Sequence, residues 1–94
     1  MIQDIKRRAL HRAKILEGQM RGLQKMIENE DYCMDILTQS LAIQKSTGSL
    51  NKLILENHVR THIKEKLSSD SAKAQEQAIE ELLGLYEISN IRSK

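Results

Sequence analysis

Apolar residues near the start of the chain recur every three or four positions, at Ile5, Ala9, Ala13, Leu16, Met20, Leu23 and Ile27. This spacing puts them on one face of an amphipathic α-helix. We expect the helix to begin at Gln3 or Asp4 and to end at Asn29–Asp31, where Asp31 would cap the next helix. The first third of the chain is therefore predicted to be a single helix.

A second helical pattern runs from Tyr32 to about Leu67. Its apolar residues include Ile36, Leu37, Leu41, Ile43, Leu50, Leu53, Ile54 and Ile63. The pattern has one weak point, the run Ser46–Ser49, because the glycine within it costs about 1 kcal/mol relative to alanine in a helix. Two interpretations stay open: the helix breaks here, or another helix passes close to these small side chains.

A third helix is predicted after the loop Ser68–Ser71, with Ser69 or Asp70 as its cap. Its apolar positions are Ala78, Ile79, Leu82, Leu83, Tyr86 and Ile88. We expect the tail from Ser89 to fray, because chain ends have few contacts to hold them.

The composition favours helices and an assembly of several chains. Of the 94 residues, 39% are hydrophobic, and none is proline, phenylalanine or tryptophan. Residues such as Leu, Ala, Glu, Lys and Gln support helices better than strands. A chain this short with few aromatic residues builds only a thin core of its own. We therefore expect one all-α domain over residues 1–94, with three helices, that forms a homo-oligomer.

Cysteine usage and hydropathy indicate a cytoplasmic protein. A single cysteine cannot form a disulfide within the chain, which fits a reducing compartment. No apolar stretch approaches the ~20 residues that a membrane-spanning helix needs. The first residues also lack the apolar core of a secretion signal. We expect no membrane partner.

Three residues are candidate metal ligands. His58 and His62 are four positions apart on the second predicted helix, so their imidazoles would share one face and could bind one ion. Cys33 lies near the start of the same helix. For each residue alone a structural role is the commoner case, since lone cysteines are often buried hydrophobes and histidine pairs often lie on solvated faces.

The spacing between Cys33 and His58 favours a site shared by two chains. They are 25 positions apart, which is roughly 37 Å along a straight helix at about 1.5 Å per residue. Two antiparallel copies of the helix would bring the cysteine of one chain to the histidines of the other. The copies would then cross near residues 46–48, where the small residues lie. A helix break at Gly48 would instead allow a site within one chain, but the position of the small residues favours the symmetric dimer.

One thiolate and two imidazoles suit Cu(I) or Zn(II) and, with further ligands, Ni(II) or Co(II). Three ligands in a plane satisfy Cu(I), whereas Zn(II) usually requires a fourth. The sequence contains no acid–base constellation, phosphate-binding loop or Ser/His/Asp arrangement, so we do not expect an enzyme.

Basic residues concentrate in the first predicted helix, although the net charge of the chain is only +2. Arg7, Lys14, Arg21 and Lys25 form a stripe along it, while acidic residues gather between Asp70 and Glu87. A basic stripe suits phosphate contacts with double-stranded nucleic acid, although a solvated helix face is the commoner origin of such a pattern. Without interleaved aromatic residues, single-stranded nucleic acid is a less suitable partner.

Several of these residues together resemble the copper-sensing repressor family, of the CsoR, RcnR and FrmR type. The residues that carry the resemblance are Gly18–Leu23, Met26–Ile27, Tyr32–Gln39, Cys33, His58 and His62. It extends over nearly the whole chain, from about Ile5 to Tyr86.

The resemblance implies a three-helix protomer, an antiparallel dimer through the long second helices, and a dimer of dimers. It implies a repressor that binds double-stranded operator DNA without metal and is released when its effector binds. The DNA-binding candidates that it supplies are Arg12, Lys14 and Arg21, with Lys45 from the second helix.

Within the family the ligand pattern indicates the effector. Copper sensors commonly have Cys, His and Cys, whereas the third position here is His62. Nickel and cobalt sensors share the Cys-His-His set but add an N-terminal histidine near the position of Met1. The persulfide-sensing branch uses two cysteines and the formaldehyde-sensing branch an N-terminal proline, and this chain has one cysteine and no proline. We therefore expect Cu(I), with Ni(II), Co(II) and Zn(II) as alternatives.

The family pattern also implies residues that support the ligands. These are Tyr32, beside the cysteine, and a glutamate of the third helix, either Glu76 or Glu80. Outside repression, two other roles are open to the sequence: a metal-buffering helical oligomer, which would not need the basic stripe, and a purely structural one, in which the candidate ligands would be incidental.

Overall fold

A computed structural model describes residues 1–92, and it is helical almost throughout. The elements are α1 (Gln3–Glu28), α2 (Cys33–His58), a π-helical turn (Val59–Ile63), α3 (Lys64–Ser68) and α4 (Ala72–Arg92). Because α2, the π turn and α3 follow one another without a gap, the described chain consists of three helical segments, with no strand among residues 1–92. The prediction of an all-α, three-helix protomer is confirmed.

The turn between α1 and α2 depends on one residue in the left-handed region. Glu30 has a φ of 51°, while the helix cap Asn29 has an ordinary φ of −81°. The N–H of Glu30 donates to the carbonyl of Ile27 at 3.0 Å, and that of Asp31 donates to Met26 at 3.0 Å. These two bonds form a Schellman motif, which satisfies carbonyls that the end of a helix leaves unpaired.

α2 continues through the weak run Ser46–Ser49, so the expected alternative of a helix break is wrong. Two hydroxyls in the run bond back to carbonyls one turn earlier: Thr47 Oγ1 to Ile43 at 2.9 Å and Ser49 Oγ to Lys45 at 3.4 Å. The two hydroxyl groups therefore have hydrogen-bond partners on the helix backbone itself. Gly48 has open space where a side chain would begin, since a Cβ built there meets no atom within 4 Å.

The long helix changes its hydrogen-bonding pattern directly after His58. Residues Val59–Ile63 form a π-helical turn, which the hydrophobic pattern did not predict. A π turn inserts one extra residue into a helix, and such turns are frequent at functional sites. Ile63 at its end is only 2% exposed, and His62 lies within the turn.

The start of α4 differs from the prediction by one or two residues. The helix begins at Ala72, and the hydroxyl of Ser71 accepts the N–H of Ala74 at 3.2 Å, so Ser71 is the cap rather than Ser69 or Asp70. Ser69 instead accepts the N–H of Ser71 through its hydroxyl. α4 continues to Arg92, so residues 89–92 are helical, while residues 93 and 94 of the tail lie outside the described part. The expected fraying stays a prediction.

The described chain divides into two compact units, Met1–Asn57 and the residues from His58 onward. In the first unit Ile5, Ala9 and Leu53 form a buried cluster, where the first turns of α1 pack against α2. In the second unit Ile63 and Ala78 are buried. The assignment of residues 1–94 to one domain stays a prediction.

Much of the predicted apolar face of α1 is exposed in a single protomer. Ile5 and Ala9 are buried, whereas Met20 and Ile27 are about half exposed.

No helix within residues 1–92 combines the length and the apolarity that crossing a membrane requires.

Candidate metal centre and nucleic-acid interface

The two histidines lie on consecutive turns and face each other. His58 is the last residue of α2 and His62 lies in the π turn, and their ring centroids are 5.2 Å apart with a tilt of 40° between the rings. Nδ1 of His62 is 3.3 Å from the hydroxyl of Thr61. The structure therefore brings together the two imidazoles that the sequence predicted as a pair.

A carboxylate of α4 meets His58. Glu81 Oε1 lies 3.1 Å from His58 Nε2, and Glu81 Oε2 lies 3.4 Å from Lys66 Nζ. Glu81 is not among the residues predicted from the sequence. No pattern distinguishes it from Glu76, Glu80 or Glu87, because the register of α4 beside His58 depends on the loop that precedes the helix.

The environment of Glu81 keeps its carboxylate ionised. Partial loss of hydration raises the pKa of Glu81, but the hydrogen bond and charge of Lys66, together with those of His58, outweigh this effect and leave the pKa below its ordinary value. A carboxylate held in this form accepts a hydrogen bond from an imidazole N–H.

Beside His58 and Glu81 lies a largely apolar cleft of about 360 Å³. Its other walls are formed by Leu82, Gly84, Leu85 and Ile88. The cleft is open to solvent, since Leu82, Leu85 and Ile88 are 37%, 44% and 55% exposed.

The thiol is not part of the same group in one protomer. Cys33 is the first residue of α2, His58 is the last, and the cysteine is free and exposed. Residues 1–92 contain no group of three or more His, Cys, Asp or Glu side chains arranged to hold a metal ion. A thiolate with two imidazoles is nevertheless a donor set that Cu(I) and Zn(II) accept, so the residues fit such an ion once the thiol is supplied.

The residues predicted to support the candidate ligands are exposed. Tyr32 precedes α2 and is 72% exposed, and its carbonyl accepts the N–H of Ile36 at 3.2 Å. Glu76 and Glu80 lie on α4 and are also exposed. The roles assigned to these three residues stay predictions.

The predicted DNA-binding residues are all exposed. Arg12, Lys14 and Arg21 lie on α1 and Lys45 lies on α2. Arg21 pairs with Glu17 one turn earlier, with 3.4 Å between Nη2 and Oε1. Exposed ion pairs of this kind are weak, which leaves the guanidinium available to another anion.

A shallow basic groove lies along the first turns of α1. Its volume is about 260 Å³, and its lining residues are Arg7, Arg8, His11, Arg12 and Ile15. Asp4 organises one end of it, with contacts of 2.6 Å to Arg7 and 3.7 Å to Arg8. The hydrogen bond from Arg7 is the main cause of a lowered pKa at Asp4. We call this surface the α1 groove; two of its residues were named from the sequence, Arg7 as part of the basic stripe and Arg12 as a DNA-binding candidate.

A helical protomer with paired imidazoles and a basic first helix has the features of a metal-responsive DNA-binding regulator. Comparison with known proteins agrees: residues 5–87 match the model of the metal-sensitive transcriptional repressor family. The chain therefore belongs to the metal-sensitive transcriptional repressors. As repressors of transcription, members of this family bind operator DNA and are not enzymes. The predictions that the chain binds operator DNA and that it is not an enzyme are therefore confirmed.

The chain is similar to several copper sensors. It is 40% identical over 76 residues to the copper-sensing transcriptional repressor CsoR of Bacillus subtilis, which covers 81% of this chain and 72% of that protein. It is 36% identical over 78 residues to CsoR of Mycobacterium tuberculosis H37Rv, which covers 83% of this chain and 63% of that one. The crystal structure of CsoR with Cu(I) from Geobacillus thermodenitrificans superposes with a TM-score of 0.81 at 31% identity, over 96% of this chain and 90% of that one.

Proposed function

We propose that this chain is a cytoplasmic copper-sensing repressor that binds operator DNA without metal and leaves it on binding Cu(I). The observation that carries the proposal is the His58–His62 pair, with its ring centroids 5.2 Å apart. The pair lies in a chain whose relatives are copper sensors, one of them crystallised with Cu(I). Bound Cu(I) would supply a soft cation that draws one thiolate and two imidazoles together.

The ligands come from two protomers in this proposal. His58 and His62 of one chain are completed by the Cys33 thiolate of another, through an antiparallel pair of α2 helices. The exposed thiol at the start of α2 and the histidines at and beyond its end support this arrangement. We extend it to the dimer of dimers that the family pattern implies.

The contacts of each histidine support a choice of the nitrogen that it offers to the ion. An N–H at Nε2 of His58 donates to Glu81 over the observed 3.1 Å, which leaves Nδ1 with its lone pair for the ion. For His62 the hydroxyl of Thr61 occupies Nδ1, which leaves Nε2. Glu81 thereby orients an imidazole and increases its basicity without touching the ion.

Ni(II), Co(II) and Zn(II) also accept a Cys-His-His set, but the relatives named above are copper sensors. A metal-buffering oligomer would have no use for the exposed basic residues of α1. Membership of a repressor family also argues against that role.

Repression and metal sensing are linked through the free energy of one assembly. If Cu(I) weakens DNA binding, DNA must weaken Cu(I) binding by the same factor. Equal Cu(I) affinity in the free and the DNA-bound protein would exclude this mechanism.

The test is an anaerobic Cu(I) titration of the protein on a fluorescent duplex, followed by anisotropy. The duplex is first selected from a random-sequence library by binding to the metal-free protein. We expect release at about one Cu(I) per protomer, as three ligands per ion require. Cys33→Ala and His58→Ala should abolish release, while the exposed control Gln77→Ala should not change it.

A complex that persists with Cu(I) but dissociates with Ni(II), Co(II) or Zn(II) would contradict the proposed effector and preserve the repressor role. Normal release from Cys33→Ala would contradict the proposed ligand set.

A further inference from the structure

The amino-terminal end of α1 is held by a side chain far away in the sequence. The backbone N–H of Ile2 donates to Oδ1 of Asn57 at 2.9 Å, across 55 positions of the chain. Asn57 is only 7% exposed, and among the described residues it is the polar residue that is classed as buried. Buried side-chain amides nearly always have a hydrogen-bond partner. The contact with Ile2 gives Asn57 such a partner.

α1 lacks a local cap that would replace this contact. Ile2 is the N-cap residue and forms no side-chain capping bond, while its carbonyl accepts the N–H of Lys6 at 2.9 Å. The first N–H groups of a helix need partners from outside it. Asn57 provides one immediately before α1, beside the buried cluster of Ile5, Ala9 and Leu53.

The same turns of α1 carry the α1 groove. Ile5 and Ala9 face α2, while Arg7, Arg8, His11 and Arg12 line the groove. Because the residues of a regular helix keep fixed relative positions over two or three turns, a displacement of Ile2 from Asn57 would also displace these basic side chains.

Asn57 is also the neighbour of a proposed metal ligand. It precedes His58 in the last turn of α2, and the π turn begins at the next residue, Val59. A π turn is a local irregularity in a helix, and such turns are frequent at functional sites. A restraint on the imidazole of His58 therefore acts directly on the backbone that carries Asn57.

We propose that Asn57 is the positioning residue that couples occupancy of the metal site to the orientation of the α1 groove, through its hydrogen bond to Ile2. This inference rests on the proposed function. It assigns Asn57 no contact with metal or DNA, and its role is to transmit a change at His58 to the first turn of α1.

The experiment compares Asn57→Ala with Asn57→Asp, which retains an acceptor oxygen, and with Asn51→Ala, an exposed asparagine of α2. Cu(I) affinity is measured by competition with a coloured chelator. DNA affinity is measured on the selected duplex with and without one Cu(I) per protomer. The ratio of the two DNA affinities reports coupling, which a purely structural role would leave unchanged.

We expect Asn57→Ala to reduce this ratio at least about fivefold, the lower end of typical couplings, with Cu(I) affinity changed by less than a factor of about two. Asn57→Asp and Asn51→Ala should retain the ratio of the wild type. An unchanged ratio in Asn57→Ala would overturn the inference and leave the proposed function standing. A wild type that shows no response to Cu(I) would overturn both.

A second measurement does not depend on any variant folding. In wild-type protein labelled with ¹⁵N, the amide signal of Ile2 should shift when Cu(I) binds, together with signals of the π turn. Shifts confined to the π turn would show that metal binds without reaching Ile2, and would overturn the inference.

Discussion

Single residues set the chemistry of the two histidines in different ways. His58 meets an ionised carboxylate, Glu81, whereas His62 meets the hydroxyl of Thr61. The two contacts occupy opposite ring nitrogens, Nε2 in His58 and Nδ1 in His62. The i, i+4 spacing was visible in the sequence, and so was Thr61 beside His62, but Glu81 reaches His58 only through folding.

A stability prediction at the residue scale concerns Glu30, whose φ of 51° is unfavourable for any residue that has a Cβ atom. Glu30→Gly should raise the free energy of unfolding by about 0.5–1 kcal/mol, because relief of about 1–2 kcal/mol of strain exceeds the entropy that glycine loses on folding. Urea unfolding followed by circular dichroism measures the change.

Asn29→Gly is the matched control, because Asn29 has an ordinary φ of −81° and gains nothing from glycine. A Glu30→Gly protein no more stable than the wild type would show that the left-handed position carries no strain.

At the scale of helices, α1 has two faces of different character. Its buried residues Ile5 and Ala9 face α2, and its exposed basic residues lie elsewhere around the helix. α1 contains seven Lys or Arg residues against three Asp or Glu residues, so the small net charge of the chain conceals a strongly basic helix. Charge at this scale determines phosphate binding, because only nearby cations displace the counterions of DNA.

The corresponding prediction concerns Arg12, Lys14 and Arg21. Replacing all three with alanine should weaken metal-free DNA binding similarly for all sequences and reduce the salt slope of log K by up to about 3, or about one per lost phosphate contact. Anisotropy at several salt concentrations measures the slope, and Lys73→Ala on α4 serves as the single-charge control.

Unchanged Cu(I) affinity in the triple variant is part of this prediction, because the substitutions lie outside the proposed ligand set. DNA binding with an unaltered salt slope would place the phosphate contacts on other residues.

At the scale of the whole molecule, one protomer leaves many large apolar side chains exposed, among them Leu37, Leu41 and Ile54 on α2. Exposed apolar surface of this extent is typical of chains that associate. The open space at Gly48 lies where the sequence predicts two α2 helices to cross.

Gly48→Leu tests this assembly. The protomer should stay helical, because nothing lies within 4 Å of an added Cβ and leucine favours helix by about 1 kcal/mol over glycine. A crossing at this point would be obstructed at a cost of about 1–3 kcal/mol, which weakens association at least about fivefold. Sedimentation equilibrium measures the association.

Gly18→Leu is the control, since Gly18 on α1 is equally open in the protomer and lies outside the predicted crossing. Unaltered association of Gly48→Leu would mean that the α2 helices do not approach each other at this residue.

Local patterns in the sequence were sufficient for the helices, the histidine pair and the basic character of α1. Spacings of three and four residues repeat with the turn of a helix, so they report helical faces directly. The observed α4 cap lies one or two residues after the predicted positions, and the π turn has no signal in the spacing. Such boundaries depend on individual hydrogen bonds, for example that from the N–H of Ala74 to the hydroxyl of Ser71.

Tertiary structure decided the contacts between residues distant in the chain. Glu81 rather than another glutamate meets His58, and Asn57 holds Ile2 across 55 positions. Neither contact has a periodic signal, since each depends on how one helix packs against another and on the loop that sets its register. The sequence by itself determined which chemical groups the helices carry, and the packing of those helices determined which groups meet.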